Sequence, residues 1–311
     1  MFNKVICTAL VLAGVLGFAS LAQAQNRVVV IPLFGDEASS ANIPNIVTVA
    51  PENADFDNLL TALGSITDAS ASNPYVIYLA PGVYNVGIFG LNMKSYVDII
   101  GSGPRQSYIL GDRTGPENVN LDALVKGADN STLSNLTVQN KPSAQFDNGT
   151  YQTGLANTNT TGSSNLIDVA IELEDGANQY GIRLADPDAT TILRNVKITL
   201  TGSMGLPIGI YNGSGESRIS HADVSVTSAG TAGGFGVFNL TGTTKISDSN
   251  IATIGGVGPK SVVLNGLSSV VYVSDTFVDR DFQIGASAKA FCDFVFNGAV
   301  ITLSGSCLTP P

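Results

Sequence analysis

Asn195-Val-Lys-Ile-Thr-Leu200 and, 28 residues later, Asp223-Val-Ser-Val-Thr-Ser228 decide the architecture. Each opens on a small polar residue and continues as an apolar/polar alternation, the period of a strand with one buried face. The same unit stands at Asn135-Leu136, Asp168-Val169, Asn250-Ile251 and Thr276-Phe277, so successive starts are 33, 27, 28, 27 and 26 residues apart. Gly154, Gly181, Gly209 and Gly236 form a second column, with steps of 27, 28 and 27. Two motifs keeping phase at one period predict coils stacked along an axis. In such a stack Val196, Ile198 and Leu200 face inward and Lys197 and Thr199 outward, with Val224, Val226 and Ile251 repeating the pattern.

The polar column from Asn135 to Asn250 has a structural explanation. Asn and Asp tolerate left-handed backbone and bond neighbouring turn amides, so they suit the corner of a coil. A metal-binding edge of the same carboxylates is the other reading. His221, the single histidine, has no serine or cysteine at a triad-like spacing and reads as a turn residue.

Residues 1–24 read as a signal peptide: Lys4 supplies the positive start, Val5 to Leu21 is mostly apolar, and Ala22-Gln23-Ala24 has the small-x-small form of a cleavage site. No later stretch reaches the length of about 18 apolar residues that a membrane span needs. Residues 25–46 form a lead-in, and 47–311 the repetitive domain. Within it, Asp55-Phe-Asp-Asn-Leu-Leu-Thr-Ala-Leu63 predicts a helix over about 55–65, N-capped by Asp55, with Phe56, Leu59, Leu60 and Leu63 on one face. That helix would cover the open end of the apolar column. Residues 141–165, rich in Asn, Thr and Gly, are expected to form a long loop. Cys292 and Cys307 are expected to pair and close the C-terminal end, since Cys7 leaves with the signal peptide.

Composition narrows the partners. The chain has 15 Lys+Arg against 25 Asp+Glu, a net charge of −10. Without Lys4 the balance is 14 against 25, or −11. Such a chain repels phosphate backbones, which argues against nucleic acid. Only 13% of residues are charged, too few for a long-helix protein.

Val47-Thr-Val-Ala50, Asp55-Phe56, the amphipathic segment, Tyr75-Val-Ile-Tyr-Leu-Ala-Pro-Gly-Val-Tyr84 and Asp98-Ile-Ile-Gly-Ser-Gly103 resemble the opening of pectin-lyase-like proteins. Within that superfamily they are most similar to pectin methylesterases. The resemblance is specific over about residues 45–110 and implies an all-β fold: a single-stranded right-handed parallel β-helix, secreted, with polysaccharide as the substrate class of its enzymes. Methylesterase chemistry would require a carboxylate nucleophile, a second carboxylate as acid/base, an Arg to orient the nucleophile and Gln side chains for the oxyanion. Asp293-Phe-Val-Phe-Asn-Gly298 resembles the family's nucleophile motif Asp-Phe-Ile-Phe-Gly. It departs from it in position: no Arg follows Asp293, the last being Arg280, and no Gln-Ala-Val-Ala or Gln-Asp pair precedes it in a middle coil. We therefore read Asp293 as a terminal-coil residue, with a catalytic role as the alternative.

A Ca²⁺-dependent lyase would need several carboxylates and a base. Glu172, Glu174, Asp175, Asp186 and Asp188 are the densest acidic group, with Arg183 on the next coil and Lys197 expected beside Glu172. Glu172, Glu174 and Asp186 are the candidate Ca²⁺ ligands, and Glu172 with Arg183 the candidate catalytic groups. The other reading is a solvated face with cross-strand ion pairs. Two residues beyond each column glycine stand Ala156, Arg183, Tyr211 and Phe238, with Leu264 in the next coil. Arg183, Tyr211 and Phe238 would form an outward row fit to stack on sugar rings or dock a partner, unless the 141–165 loop covers it. The expected function is a secreted or cell-surface β-helix protein, non-catalytic, that binds a polysaccharide or a cell-surface component. A divergent pectin esterase or lyase is the alternative.

Overall fold

The computed structural model describes residues 44–115, 123–141, 151–157, 162–176, 178–203, 205–229, 233–255, 260–264, 269–279, 282–284 and 288–297. The expected signal peptide, most of the lead-in and Cys307 lie outside them. The described chain is a right-handed parallel β-helix of about seven turns with one helix. Every paired strand runs parallel to its neighbour one coil away, and each coil contributes a rung to three faces. The third face is an eight-stranded sheet of its own. The first and second merge because strands such as Ser131–Asn140, Ser164–Glu174 and Val270–Val278 run unbroken round the corner between them.

Parallel register stacks like on like. On the first face Ile77, Ile99, Leu133, Leu166, Leu193, Ile219, Ile246 and Val273 occupy successive rungs of one inward column. All are buried, each contributing roughly 1.5–3 kcal/mol by burial. Cys292 is the next rung of that column and packs on its end. The second face supplies Ile109, Val138, Ile171, Ile198, Val224 and Ile251, and the third Val125, Leu155, Ile182, Ile210 and Val237.

The corner between the first two faces is held in left-handed backbone at Asn135, Asp168, Asn195, His221, Asp248 and Asp275, with φ between 45° and 57°. Asn and Asp fill it because their short polar side chains lower the cost of that conformation. This corrects the expected column from its fourth member on. Asp223 and Asn250 start the second-face strands Asp223–Ser228 and Asn250–Gly255, two residues past the corner, and pair with Lys197 in one file. Thr276 lies one residue past it. A slip of two leaves an alternating pattern unchanged, so the apolar run alone does not fix the corner. His221 is a turn residue in this geometry.

The glycine column stands in register on the third face. A Cβ on Gly209 would lie 2.5 Å from both the Gly236 carbonyl oxygen and Val224 Cγ1, and one on Gly181 would meet Gly209 and Ile198 in the same way. Only glycine lets the third face approach the second this closely.

Polar residues also stack inside. Ser131, Ser164, Thr191, Ser217 and Thr244 form one buried file on the first face. Buried Asn157 and Asn212 reach it from the third: Asn157 Nδ2 donates to Thr191 Oγ1 at 3.3 Å, Asn212 Nδ2 donates to Thr244 Oγ1 at 3.0 Å, and Ser217 Oγ donates to Thr244 Oγ1 at 2.9 Å.

Two local expectations change. The helix is Leu59–Ser65, capped by Asn58, whose Oδ1 accepts from the Thr61 amide at 3.0 Å. Asp55 instead accepts from Thr48 N and Thr48 Oγ1, both at 2.8 Å. Leu59, Ala62 and Leu63 are buried, while Leu60 is exposed. The stretch 141–165 contains a strand, Tyr151–Asn157, which is a full rung of the third sheet, and the start of Ser164–Glu174. Its buried run is Gln152, Thr153, Gly154, Leu155, Ala156 and Asn157, with Leu155 the one large apolar side chain among them, so the strand carries no apolar alternation. Residues 142–150 and 158–161 lie outside the description.

Gly209→Ala tests the stacking directly. The backbone is not left-handed there, so the cost is steric: about 1–3 kcal/mol, read as a lowered midpoint in chemical denaturation. An unchanged midpoint would mean that the second and third faces do not meet at this column.

Candidate functional site

The outer surface of the third sheet carries the expected row in register. Ala156, Arg183, Tyr211 and Phe238 occupy one file on consecutive rungs. The next member is Val263, not Leu264, because 263 − 238 is 25, a coil shorter than the period. Tyr211 and Phe238 stack with ring centres 5.7 Å apart and planes 10° from parallel. The Arg183 guanidinium lies over two rings, 5.0 Å from the centre of Tyr180 and 5.6 Å from that of Tyr211. Tyr151 stacks on Tyr180 at 5.9 Å, and Phe235 tilts against Phe238 at 5.4 Å. The result is a cluster of half-buried rings around buried Tyr180, which meets Tyr211 edge-on, with one delocalised cation built into it. Guanidinium over aromatic faces holds rings and cation in fixed orientation. Tyr151, Tyr180 and Phe235 escaped the sequence reading because they lie outside the file two residues after each glycine.

The acidic candidates are spread over different faces. Glu172 sits on the second face between Gln139 and Thr199, and its Oε2 accepts from Gln139 Nε2 at 2.8 Å. Glu174 pairs with Lys141 at 3.4 Å, both about half exposed. Lys197 lies beside Ala170 and Asp223, not beside Glu172 as expected. Arg183 is on the third face, and Asp186 follows its strand Asn178–Leu184. The second face thus holds Glu172 and Glu174, and neither Arg183 nor Asp186 joins them there. Among the described residues no group of three or more His, Cys, Asp or Glu could hold a metal ion. Asp293 is exposed on the first face, in file with Ser274, Ser247, Ser220 and Arg194. The nearest arginine in that file is four rungs away.

The first face carries groups that the sequence did not single out. Arg218, Lys245, Tyr272 and Phe291 follow one another in one outward file. Glu216 Oε1 accepts from Arg218 Nε at 2.8 Å and from Lys245 Nζ at 3.0 Å. Those two bonds hold the Glu216 carboxyl below its usual range, the Arg218 bond first. Tyr272 and Phe291 stack at 5.0 Å and 13°. They are 19 residues apart, so the repeat does not reveal them as neighbours. Further along this file, Asp98 is half-buried beside buried Val76. Burial pushes its carboxyl above the usual range, against the Thr132 amide that donates to Oδ1 at 2.7 Å.

No family model and no curated protein matches the sequence. Solved structures do. Pectin methylesterase from carrot superposes with a TM-score of 0.56 at 13% identity, covering 88% of each chain. Pectin methylesterase from Erwinia chrysanthemi gives 0.55 at 13%, over 88% of this chain and 94% of that one. A pectin methylesterase in complex with a hexasaccharide gives 0.54 at 12%, again over 88% and 94%. The chain has the fold of the pectin methylesterases. Among the described residues no helix is long and apolar enough to cross a membrane.

Asp98 gives a pH prediction. An acid whose pKa is raised by folding binds its proton more tightly in the native state. Stability therefore falls as pH climbs from the unfolded value, about 3.9, through the folded one. Asp98→Asn keeps an Oδ1 acceptor for Thr132 and removes the buried charge. The variant should melt higher than the parent at pH 7, with the gap closing toward about pH 3. A gap that is independent of pH would refute the assignment.

Proposed function

We propose that this chain is a non-catalytic, exported β-helix protein that binds glycans along the outer surface of its third sheet. One observation carries the reading: Tyr151, Tyr180, Arg183, Tyr211, Phe235 and Phe238 form an unbroken series of ring contacts over several rungs, stacked at Tyr151–Tyr180 and Tyr211–Phe238 and edge-on at Tyr180–Tyr211, where the buried Tyr180 supports its half-buried neighbours. Pyranose rings present flat C–H faces that pack on aromatic rings, and a row of rings repeats that contact along a polymer. Fold likeness to a pectin methylesterase known with a hexasaccharide is consistent with a saccharide ligand. The basic start and apolar run of residues 1–24 support export.

Divergent catalysis is the competing reading, and the distribution of carboxylates weighs against it. Acyl transfer or β-elimination requires at least two acidic or basic groups converging on one atom. Glu172 is bonded to Gln139 on the second face, Arg183 is among aromatic rings on the third, and Asp293 is exposed on the first.

The test is binding of the secreted protein to a polysaccharide panel that includes methylated and de-esterified pectin and dextran. At least one member should be retained. Tyr211→Ala combined with Phe238→Ala should weaken that binding about tenfold while the fold remains intact by circular dichroism. Retention unchanged by the double variant, or no retention at all, would refute the third-sheet site. The same incubations are assayed for methanol and for unsaturated product, with none expected. Product formation that Asp293→Asn abolishes would replace this reading with catalysis.

A further inference from the structure

We propose that the outer surface of the first sheet is a second, separate binding site, for a glycan that carries carboxylate or sulfate groups. The site is the file Arg218, Lys245, Tyr272 and Phe291, one residue per rung on strands Glu216–Ser220, Thr243–Ser247, Val270–Val278 and Lys289–Asn297.

Three features point to this ligand. First, the chain has an acidic balance, 25 against 15, yet two cations lie on adjacent rungs of this file. Like charges directly opposite each other in a sheet are destabilising. Glu216 offsets the repulsion from one side through bonds to Arg218 Nε and Lys245 Nζ. Two cations share one carboxylate, so the triad keeps one net positive charge. Their side chains remain about half exposed, 56% for Arg218 and 47% for Lys245. Arg218 uses Nε for Glu216, and guanidinium has further N–H donors able to bond a carboxylate or sulfate.

Second, the stacked Tyr272–Phe291 pair continues the same file immediately beyond Lys245. Val271, Val273 and Ala290 take the buried positions on either side, so the two rings are turned outward. A polymer lying along the file meets anion-binding groups on two rungs and ring faces on the next two. That order suits a sugar chain, whose units carry both a charged substituent and an apolar ring face. Third, Ser220, Ser247 and Ser274 run as a parallel file two residues away. Their hydroxyls are donors and acceptors suited to sugar hydroxyls.

A single-stranded nucleic acid also combines charge and stacking. The overall charge of −10 opposes any polyanion alike; the serine hydroxyls beside the file favour a sugar chain, and the oligonucleotide enters the test as the competing ligand.

The two sites lie on different faces of the coil. If the third-sheet site is also real, one molecule holds two glycan chains and links them. That consequence rests on the function proposed above; the first-sheet site does not.

The experiment measures affinity by titration calorimetry for polygalacturonate, dextran sulfate, neutral dextran and a single-stranded oligonucleotide. The protein is the parent, Arg218→Gln with Lys245→Gln, Tyr272→Ala, Glu216→Gln, or the third-sheet double variant. At least one anionic glycan should bind more tightly than neutral dextran, with affinity falling as salt rises. The two anionic probes distinguish carboxylate from sulfate. Loss of both cations should weaken binding about tenfold or more, and Tyr272→Ala should weaken it several-fold. Glu216→Gln should strengthen it, because a like charge is removed while the cations stay. A merely structural triad would respond in the opposite direction, since losing Glu216 would then only do damage. All of these comparisons are read in the Tyr211→Ala, Phe238→Ala background, so that binding at the third sheet does not enter the measured affinity. Equal binding of neutral dextran, no response to the cation variant, or an oligonucleotide that binds and competes as well as the glycans would each overturn the proposal. Bridging is read separately, as turbidity of mixed glycan solutions that needs both sites. Its absence with the first-sheet affinity intact would count against the third-sheet reading alone.

Discussion

Parallel pairing of each rung with the one below it is the constraint behind everything else in this molecule. Neighbouring strands lie about 4.8 Å apart, so each side chain sits on its counterpart one coil earlier. Whatever occupies a position must then tolerate a near copy of itself at contact distance. Aliphatic side chains do so at once, and the three inward files are Ile, Leu and Val almost throughout. Aromatic rings do so by stacking, as Tyr211 does on Phe238. Charged groups do not, and the outer files show the consequence: Lys197 faces Asp223, Lys141 pairs with Glu174, and the adjacent cations Arg218 and Lys245 share Glu216.

The buried hydroxyl file is harder to accommodate. Serine, threonine and asparagine inside a core are costly unless their hydrogen bonds are met. Here stacking supplies partners for the Ser217 and Thr244 hydroxyls and the Asn212 amide nitrogen, while Asn212 Oδ1 has none among the described residues. Ser217, Thr244 and Asn212 bond one another across adjacent rungs and across the corner between two faces. A shift of one coil by two residues keeps the inward/outward alternation but would set these groups on the aliphatic file. The polar file therefore fixes register where Ile-on-Val contacts alone are permissive.

The repeat was legible where a residue type has a single use. Glycine at 154, 181 and 209 marks a close approach of two faces, where a Cβ would lie about 2.5 Å from its neighbours, and Gly236 continues the column. The Arg183–Tyr211–Phe238 file followed from it by counting. Elsewhere the pattern was degenerate. Asp223 and Asn250 resemble corner residues, but alternation is blind to a slip of two, and His221 and Asp248 hold the left-handed backbone instead. Tyr151–Asn157 lacked apolar alternation because Leu155 is the one large apolar side chain in a buried run that otherwise holds Gln, Thr, Gly, Ala and Asn. Asn58 and Asp55 compete for one cap; the bonds from Thr48 to Asp55 decide between them. The first-face file stayed hidden because the coil from Tyr272 to Phe291 is 19 residues, shorter than the 27 that make Arg218 and Lys245 visible neighbours.

The same geometry bears on what such surfaces are suited to do. Side chains on one outer file are parallel and evenly spaced, and they do not aim at a common point. Catalysis needs convergence: a nucleophile, a base and an oxyanion donor within hydrogen-bond reach of one atom. Groups on neighbouring rungs of one face can meet at one atom, as Arg218 and Lys245 do at Glu216 Oε1, so the candidates have to share a face. Glu172, Arg183 and Asp293 stand on three different faces, so no single substrate atom has two of them facing it from one surface. What a flat file does offer is the same contact repeated once per rung. A ligand that itself repeats gains from every rung it covers, whereas a small molecule gains from one. The ring contacts of the third sheet and the cation-then-aromatic file of the first are such repeated contacts along the coil axis.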